Sequence, residues 1–222
     1  MPPGRVNARR WIVSPLPGML DSVATDVGET NTMSAAVVEP YTGWDELVRI
    51  WEETDAPEGC RVEIIEGIVT VAPPPANDHN NIANRLQRRL YDAIAPDIGI
   101  YQTLGVEVPD SSGLYIPDVA VFPEASLDRP GHRVPASEAL LIAEITSPGN
   151  ADHDRKKKLW GYAHAGVPVY LLIDAYAEAG PTVTLYRTPR RGCYRESVSV
   201  PFGKAVELPE PFGITLETGL FG

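Results

Sequence analysis

Residues 140–174 read LLIAEITSPGNADHDRKKKLWGYAHAGVPVYLLID, with an apolar segment on either side of a charged one. The outer segments, residues 140–146 and 167–174, are short apolar runs typical of buried strands. The charged segment between them ends at Gly166, a natural helix C-cap, and predicts a helix. A strand, a helix and a second strand in this order indicate a domain that mixes helices with a sheet.

The flanking sequence predicts more strands and two more helices. Residues 61–75, RVEIIEGIVTVAPPP, indicate a hairpin that turns at Glu66 and Gly67. Amphipathic helices are predicted over residues 42–55 and 78–95, with Thr42 and Asp78 as their caps. Further strands are predicted over residues 100–108, 114–122 and 139–146, and a late hairpin over 181–200. The predicted fold class is α/β (mixed α+β), a mixed central sheet flanked by helices.

Composition excludes several classes of protein. The 222 residues include 19 Lys and Arg against 30 Asp and Glu, a formal charge of −11, which excludes a generally basic nucleic-acid coat. No run approaches the ~18 apolar residues of a membrane-spanning helix, so we expect no membrane partner and a cytoplasmic protein. The two cysteines, Cys60 and Cys193, are too few for a disulfide scaffold and are expected to be reduced.

Two regions differ in character along the chain. Residues 1–40 carry scattered prolines and a polar run without periodicity, so we expect a disordered N-terminal extension. Residues 41–222 are predicted to form one domain, because the apolar patterns there follow one another without a linker.

Three carboxylates stand in or beside predicted strands. Glu144 interrupts an apolar run, where a carboxylate is unfavourable unless it is paired, protonated or bound to metal. Asp118 begins the apolar part of IPDVAVF, and Glu63 lies in VEIIEG. Mg²⁺ prefers such hard oxygen ligands. The residues alone leave other interpretations open: a solvent-facing Glu63, a turn residue at Asp118, and a Glu144 paired with an arginine.

A second group lies on the helix predicted before Gly166. Asp154, Lys158 and Tyr162 are spaced by four residues and share one helical face, which is either a solvated face or part of a site. Arg155–Lys158 is a run of four cations that would suit a phosphate backbone. His79, at the start of an earlier helix, is either a surface residue or a site residue.

Six segments taken in order resemble a known family. VEIIEG, PPPANDH, IPDVAVF, AEITSPGN, D-x-x-x-K-x-x-x-Y-x-x-x-G-V and VYLLID are together similar to the Uma-two family of restriction endonucleases, within the PD-(D/E)XK nuclease superfamily. The resemblance is strong over residues 41–174 and weak in the tail. It implies a restriction-endonuclease-like core, metal-dependent cleavage of phosphodiester bonds in DNA, and a homodimer.

The same resemblance implies roles for individual residues. Asp118 and Glu144 correspond to the metal-binding acids, with Mg²⁺ or Mn²⁺ as the cofactor, and Glu63 to an additional acid. Lys158 corresponds to the catalytic lysine, moved from the strand to the following helix, because Thr146 stands where the superfamily has a lysine. His79 matches a family histidine, and Asp154 and Tyr162 are supporting candidates.

The expected nucleic-acid contacts are cations on two predicted helices, which would form a basic rim around the acidic pocket: Arg85, Arg88, Arg89, Arg155, Lys156 and Lys157. The late hairpin adds Arg187, Arg190 and Arg191 to that expectation. Two alternatives to a nuclease stay open at this point. One is a non-catalytic nucleic-acid-binding or interaction domain on the same fold, and the other is a glycosidase, which Lys158 disfavours.

Overall fold

The computed structural model describes residues 34–35, 43–149 and 151–222. The described α-helices are α1 (Trp44–Glu53), α2 (Asn77–Tyr91) and α3 (Leu159–Ala165). A π-helical turn, His153–Lys158, leads directly into α3. Short 3₁₀ turns cover Pro109–Ser111, Glu124–Leu127, Ala136–Glu138 and Thr218–Phe221.

The described residues also form fourteen strands. In chain order they are β1 (Ser34–Ala35), β2 (Arg61–Ile65), β3 (Ile68–Ala72), β4 (Ile98–Tyr101), β5 (Gly105–Val108), β6 (Gly113–Tyr115), β7 (Val119–Pro123), β8 (Arg133–Pro135), β9 (Leu141–Ile145), β10 (Val169–Asp174), β11 (Thr182–Arg190), β12 (Cys193–Pro201), β13 (Ala205–Glu207) and β14 (Thr215–Glu217).

The strands confirm a mixed α/β fold, and most of them divide between two six-stranded sheets. The first sheet has the order β1-β3-β2-β6-β5-β8, the second β12-β11-β10-β9-β7-β4, and β13 pairs with β14 in a third, two-stranded sheet. The single central sheet expected from the sequence is divided because the predicted strands 100–108 and 114–122 each break. β4 and β7 enter the second sheet, whereas β5 and β6 enter the first.

The parallel pair β9 and β10 forms the buried centre of the second sheet. Every residue of both strands is buried, as their apolar sequences predict. Alternate side chains face opposite sides of a strand. Leu141, Ala143 and Ile145 therefore join one apolar cluster and Ile142 joins the other. Glu144 shares the parity of Ile142, so it lies on the face whose cluster includes Tyr162 of α3.

The helix starts differ in detail from the sequence predictions. α1 begins after Gly43, and Thr42, its predicted cap, lies outside the described residues. α2 begins after Ala76, so Asp78 lies inside its first turn, where its side chain accepts a hydrogen bond from the backbone N–H of His79. The predicted end of the third helix is confirmed, because Gly166 adopts φ 80°, which a residue without a Cβ tolerates.

Other expectations concern the N-terminus, the cysteines and the membrane. The predicted disordered extension, residues 1–40, lies outside the described residues except for Ser34–Ala35, which pair with β3. Cys60 and Cys193 are both free thiols. In the part of the chain that the structure describes, each helix is too short or too polar to span a bilayer.

Candidate active site

Glu63 is buried in the middle of β2 and makes two strong contacts there. Its Oε1 accepts hydrogen bonds from the backbone N–H of Ile116, at 2.7 Å, and from the Lys158 ammonium, at 2.8 Å. Only 5% of the residue is exposed. The solvent-facing interpretation of Glu63 is therefore wrong, because the loop between β6 and β7 and the turn before α3 cover this carboxylate.

Glu144 is buried in β9 and faces α3. Its Oε1 accepts a hydrogen bond from the Tyr162 hydroxyl at 2.8 Å and lies 3.2 Å from the Lys158 ammonium. Burial raises the pKa of Glu144, and the charges of Asp118 and Glu63 add to this effect. The Lys158 charge opposes it, and the resulting pKa is about 7. Glu144 is thus poised to change protonation near neutral pH.

Asp118 directly precedes β7, next to the strand that carries Glu144. β7 and β9 are antiparallel with Val119 opposite Ala143, and the backbone N–H of Ile145 donates to Asp118 Oδ2 at 2.7 Å. His79 Nε2 lies 3.0 Å from the same oxygen, and Arg61 donates to Oδ1. Burial would raise the pKa of Asp118, but the contacts with His79, Arg61 and the Ile145 N–H outweigh it and lower the pKa to about 2.

Lys158 ends the π-helical turn and lies inside the protein among carboxylates. Only 2% of the residue is exposed, and its Nζ is within 3.6 Å of Glu63, Glu144 and Asp154. Burial alone would lower the pKa of Lys158, but the negative charges around it raise the pKa well above its usual value. Lys158 is therefore a permanently charged ammonium, unlike the solvated cation that a charged run usually predicts.

Asp154 lies one turn before Lys158 and is completely buried. Neither of its carboxyl oxygens has a hydrogen-bond partner in the described residues, although Oδ1 is 3.6 Å from the Lys158 ammonium. Burial raises the pKa of Asp154 well above its usual value. The Lys158 charge lowers this pKa but does not offset burial, and the nearby acids raise it further. Lys158 therefore pairs mainly with Glu63 and Glu144, which are closer.

The structure brings seven predicted residues into one buried cluster, which we call the acid–lysine cluster: Glu63, His79, Asp118, Glu144, Asp154, Lys158 and Tyr162. They come from two strands, the residue before a third strand, the N-terminus of α2, the π-helical turn and α3. The solvated-face interpretation of the group spaced by four is wrong, because all three of its members are buried. Thr146 lies outside the cluster, where its hydroxyl donates to Asp174.

Arg61 belongs to the same network, and the sequence reasoning missed it. Its guanidinium bonds Asp118 and the backbone carbonyl of Ile116, while its Nε has no hydrogen-bond partner in the described part of the chain. Burial would lower the pKa of Arg61, but the charges of Asp118 and Glu63 raise it. A usable signal was present, since Arg61 precedes Glu63 by two residues and so shares its side of β2.

The predicted nucleic-acid contacts mostly have other partners in the structure. Arg155 forms a double hydrogen bond with Asp174, and Lys157 pairs with Glu66. The remaining candidates are on the surface: Lys156 pairs with Asp152, Arg89 with Asp92, Arg85 donates to the backbone carbonyl of Leu220, and Arg88 is exposed. The use of these six side chains as nucleic-acid contacts stays a prediction.

The acid–lysine cluster fits a divalent cation in charge and donor chemistry. It contains four buried carboxyl groups and one permanent cation, Lys158, with Arg61 beside it, and both oxygens of Asp154 lack a hydrogen-bond donor in the described residues. No three His, Cys, Asp or Glu side chains of the described residues are arranged as a complete metal-ligand group. Mg²⁺ requires only one or two carboxylates, because waters and a substrate phosphate complete its shell. Asp118 and Glu144 would meet that requirement.

A surface cavity of about 660 Å³ opens on the side of β2 that faces away from Glu63. Its lining includes Trp51, His132 and two residues that adjoin the acids, Val62 next to Glu63 and Ile116 two residues before Asp118. Ile116 also holds both Glu63 and Arg61 through its backbone N–H and carbonyl. Val62 and Glu63 face opposite sides of β2, and no side chain of the acid–lysine cluster is among the described residues that line the cavity, so we do not assign it to the substrate.

Comparisons with known proteins place this arrangement in a family. A solved structure described as "a putative nuclease belonging to DUF820", from Anabaena variabilis, shares the fold with a TM-score of 0.62. The match is 20% identical and covers 81% of this chain and 96% of the other. No curated protein matches the sequence. The model of the Uma2 family, described as "Putative restriction endonuclease", matches residues 44–219. This match spans most of the chain, which therefore belongs to the Uma2 family.

Proposed function

We propose that this protein is a divalent-metal-dependent nuclease that hydrolyses phosphodiester bonds in DNA. One observation carries the proposal. Glu63 and Glu144, from strands of two different sheets, meet at the single buried ammonium of Lys158, with Asp118 beside them. A buried group of four carboxyl groups, two of them with raised pKa values, is unfavourable for folding unless it serves a purpose such as cation binding.

Asp118 and Glu144 are the residues that would hold Mg²⁺ or Mn²⁺. When bound, such an ion lowers the pKa of a water molecule and offsets charge on the phosphate. The protein fixes both carboxylates in advance. Tyr162 donates to Glu144, whereas His79 and the backbone N–H of Ile145 hold Asp118. These contacts stabilise the ligands in one orientation before a metal arrives.

Lys158 supplies a positive charge that does not depend on the metal. Its ammonium lies between Glu63 and Glu144, so it is held in place without being exposed to bulk water. A cation in a poorly hydrated site stabilises negative charge on a phosphoryl oxygen more strongly than a surface cation does. We assign Lys158 the role of stabilising the charge that develops during cleavage and Glu63 the role of positioning Lys158.

A cleavage assay tests the proposal. Supercoiled plasmid and single-stranded circular DNA are incubated with the full chain and Mg²⁺, Mn²⁺ or EDTA, beside the variants Glu144→Gln and Lys158→Met. We expect nicked or linear products only with metal and only from the wild type. Cleavage that persists in both variants would contradict the site assignment, and cleavage in EDTA would contradict the metal requirement.

The non-catalytic nucleic-acid-binding alternative has one observation in its favour. Both oxygens of Asp118 already accept hydrogen bonds, from Arg61 on one side and from His79 and Ile145 on the other. Three of the four lone-pair positions of this carboxylate are therefore occupied, which leaves one on Oδ1 for a metal ion. Isothermal titration with Mn²⁺ distinguishes the two functions: binding that Asp118→Asn abolishes favours the nuclease, and no binding favours the alternative. The expected homodimer and cytoplasmic location stay predictions.

A further inference from the structure

Three arginines without an ion-pair partner lie together on one hairpin. Arg190 ends β11, Arg191 is in the turn, and Arg195 is in β12; all three are exposed, and none forms an ion pair with a described residue. Most other described cations are paired, including Arg187 on the same hairpin. In a protein of net charge −11, a local excess of unpaired arginine produces a positive surface suited to a polyanion.

An aromatic cleft adjoins the tip of this hairpin. Its volume is about 210 Å³, and its lining includes Trp160, Tyr186, Tyr194 and Lys156. Trp160 is 44% exposed, and its ring contacts that of His164 with a centroid separation of 4.3 Å and an interplanar angle of 35°. Lys156 is paired only with Asp152, at 3.6 Å between two strongly exposed side chains, which is a weak interaction. Aromatic rings and an available ammonium therefore line the same cleft.

The hairpin tip is fixed against α3, the helix that follows Lys158. A Cβ at Gly192, the second turn residue, would overlap the imidazole ring of His164, so the turn lies directly on the helix. The aromatic cluster continues inwards from there. The ring centroid of Tyr170 is 6.3 Å from that of Tyr194 and 5.3 Å from that of Tyr162, whose hydroxyl bonds Glu144. The cleft thus lies two ring contacts from the acid–lysine cluster.

We propose that this surface binds a single-stranded segment of nucleic acid. The proposal rests on the proposed nuclease function and extends it to the way the substrate is held. We call the surface the hairpin-tip surface and define it by Lys156, Trp160, Tyr194, Arg190 and Arg191. The arginines and Lys156 contact phosphates, and the aromatic rings stack on unpaired bases.

The aromatic residues favour a single strand over a duplex. Base faces in a duplex are covered by neighbouring bases, whereas those of a single strand are free to stack on a protein ring. His164 covers one face of Trp160, and the exposed fraction of the indole is available to a base. Binding to the phosphates of a duplex would require the cations, but it would not require an exposed indole beside them.

Fluorescence anisotropy of a labelled oligothymidylate in EDTA measures binding without cleavage. The full chain is compared with three variants: Arg190→Ser with Arg191→Ser, Trp160→Ala, and the control Arg49→Ser with Lys204→Ser. The control removes the same charge from exposed positions outside the predicted nucleic-acid contacts. We expect the variant Arg190→Ser with Arg191→Ser to bind at least about tenfold more weakly. We expect its slope of log affinity against log salt concentration to be smaller in magnitude by about 1.4, the amount expected for two phosphate contacts. We expect Trp160→Ala to weaken binding about tenfold at an unchanged salt slope.

Each outcome either supports or overturns the proposal. Equal losses in the arginine pair and in the control would overturn it, as would a wild type that does not bind the oligonucleotide. A preference for a duplex of the same length would overturn the single-strand assignment. Lys158→Met separates this inference from the proposed function. Normal oligonucleotide binding by Lys158→Met, together with a wild type that does not cleave DNA, would contradict the nuclease proposal and support the hairpin-tip surface.

Discussion

The ammonium of Lys158 lies 2.8 Å from a carboxylate oxygen of Glu63, although 95 residues separate them in the chain. Glu63 belongs to the first sheet. Lys158 belongs to the turn before α3, and in the chain this turn and α3 connect β9 to β10 of the second sheet. The same ammonium is 3.2 Å from Glu144 in the second sheet. One buried cation therefore connects the carboxylates of two sheets, and four predictions follow from the network around it.

Replacing Lys158 by methionine should abolish most of the proposed cleavage. Methionine fills similar space but removes the charge between Glu63 and Glu144, so we expect the initial rate of plasmid cleavage to fall at least about 100-fold. Lys204→Met provides the control, because Lys204 is exposed and distant in sequence from every site residue. A Lys158→Met enzyme that is folded by circular dichroism and cleaves at the wild-type rate would refute the catalytic role.

Glu144 should make the metal-free protein less stable as the pH rises from about 4.5 to about 7. Its folded-state pKa is raised from 4.5 to about 7, so in this window the folded state retains a proton that the unfolded state has released. By linkage, this site alone lowers the free energy of unfolding by up to about 3 kcal/mol across the window. Glu144→Gln should remove that loss.

Urea unfolding in EDTA at pH 5 and pH 8 measures the effect. We expect the free energy of unfolding of Glu144→Gln, relative to that of the wild type, to be larger at pH 8 than at pH 5. Glu217→Gln, at an exposed position, should follow the wild type at both values. A pH dependence that is identical in Glu144→Gln and the wild type would show that Glu144 titrates normally.

Arg61 should stabilise the protein through Asp118, and the effect should disappear in acid. The pKa of Asp118 is lowered from 3.8 to about 2, so its contribution is present above about pH 4 and is lost as the pH falls towards 2. At neutral pH, Arg61→Met leaves this buried carboxylate with His79 as its remaining side-chain partner and should reduce stability by about 3 kcal/mol.

The difference between Arg61→Met and the wild type should narrow as the pH approaches 2, because Asp118 then becomes neutral in both proteins. Arg49→Met is the matched control, since Arg49 pairs with Glu46 and Glu53 on the exposed side of α1. We expect Arg49→Met to change the free energy of unfolding by less than about 1 kcal/mol. Equal losses in the two variants would contradict the special role of Arg61.

Gly161→Ala should destabilise the protein although alanine favours helix formation. A Cβ at Gly161 would lie 2.6 Å from the hydroxyl oxygen of Tyr115, a fully buried side chain at the edge of the site. We expect overpacking to reduce stability by about 1–3 kcal/mol and to disturb α3 beside Lys158. Gly219→Ala, whose Cβ would make only an ordinary van der Waals contact of 3.6 Å with Gly203, should be nearly neutral by thermal unfolding. A more stable Gly161→Ala protein would show that Tyr115 can move aside.

Local patterns were sufficient to predict most elements of the fold. The hairpin that turns at Glu66 and Gly67 and the fully buried strand β10 follow from chain-local rules, because residue type and period act over a few neighbouring residues. The candidate site residues were found in two ways. Glu144 stood out as a carboxylate in an apolar run, whereas the role of Lys158 came from the family resemblance.

The sequence by itself determined most of the strands and helices and the presence of an acid where burial is unfavourable. Only the tertiary structure decided which member of the run Arg155–Lys158 enters the site. Lys158 is buried at 2% exposure, whereas Lys156 of the same turn is exposed. The tertiary structure also brought Arg61 to Asp118 across 57 residues. The physical reason is that charge pairing in a buried site depends on which distant segments of the chain come into contact. The local periodicity of a sequence does not predict those contacts.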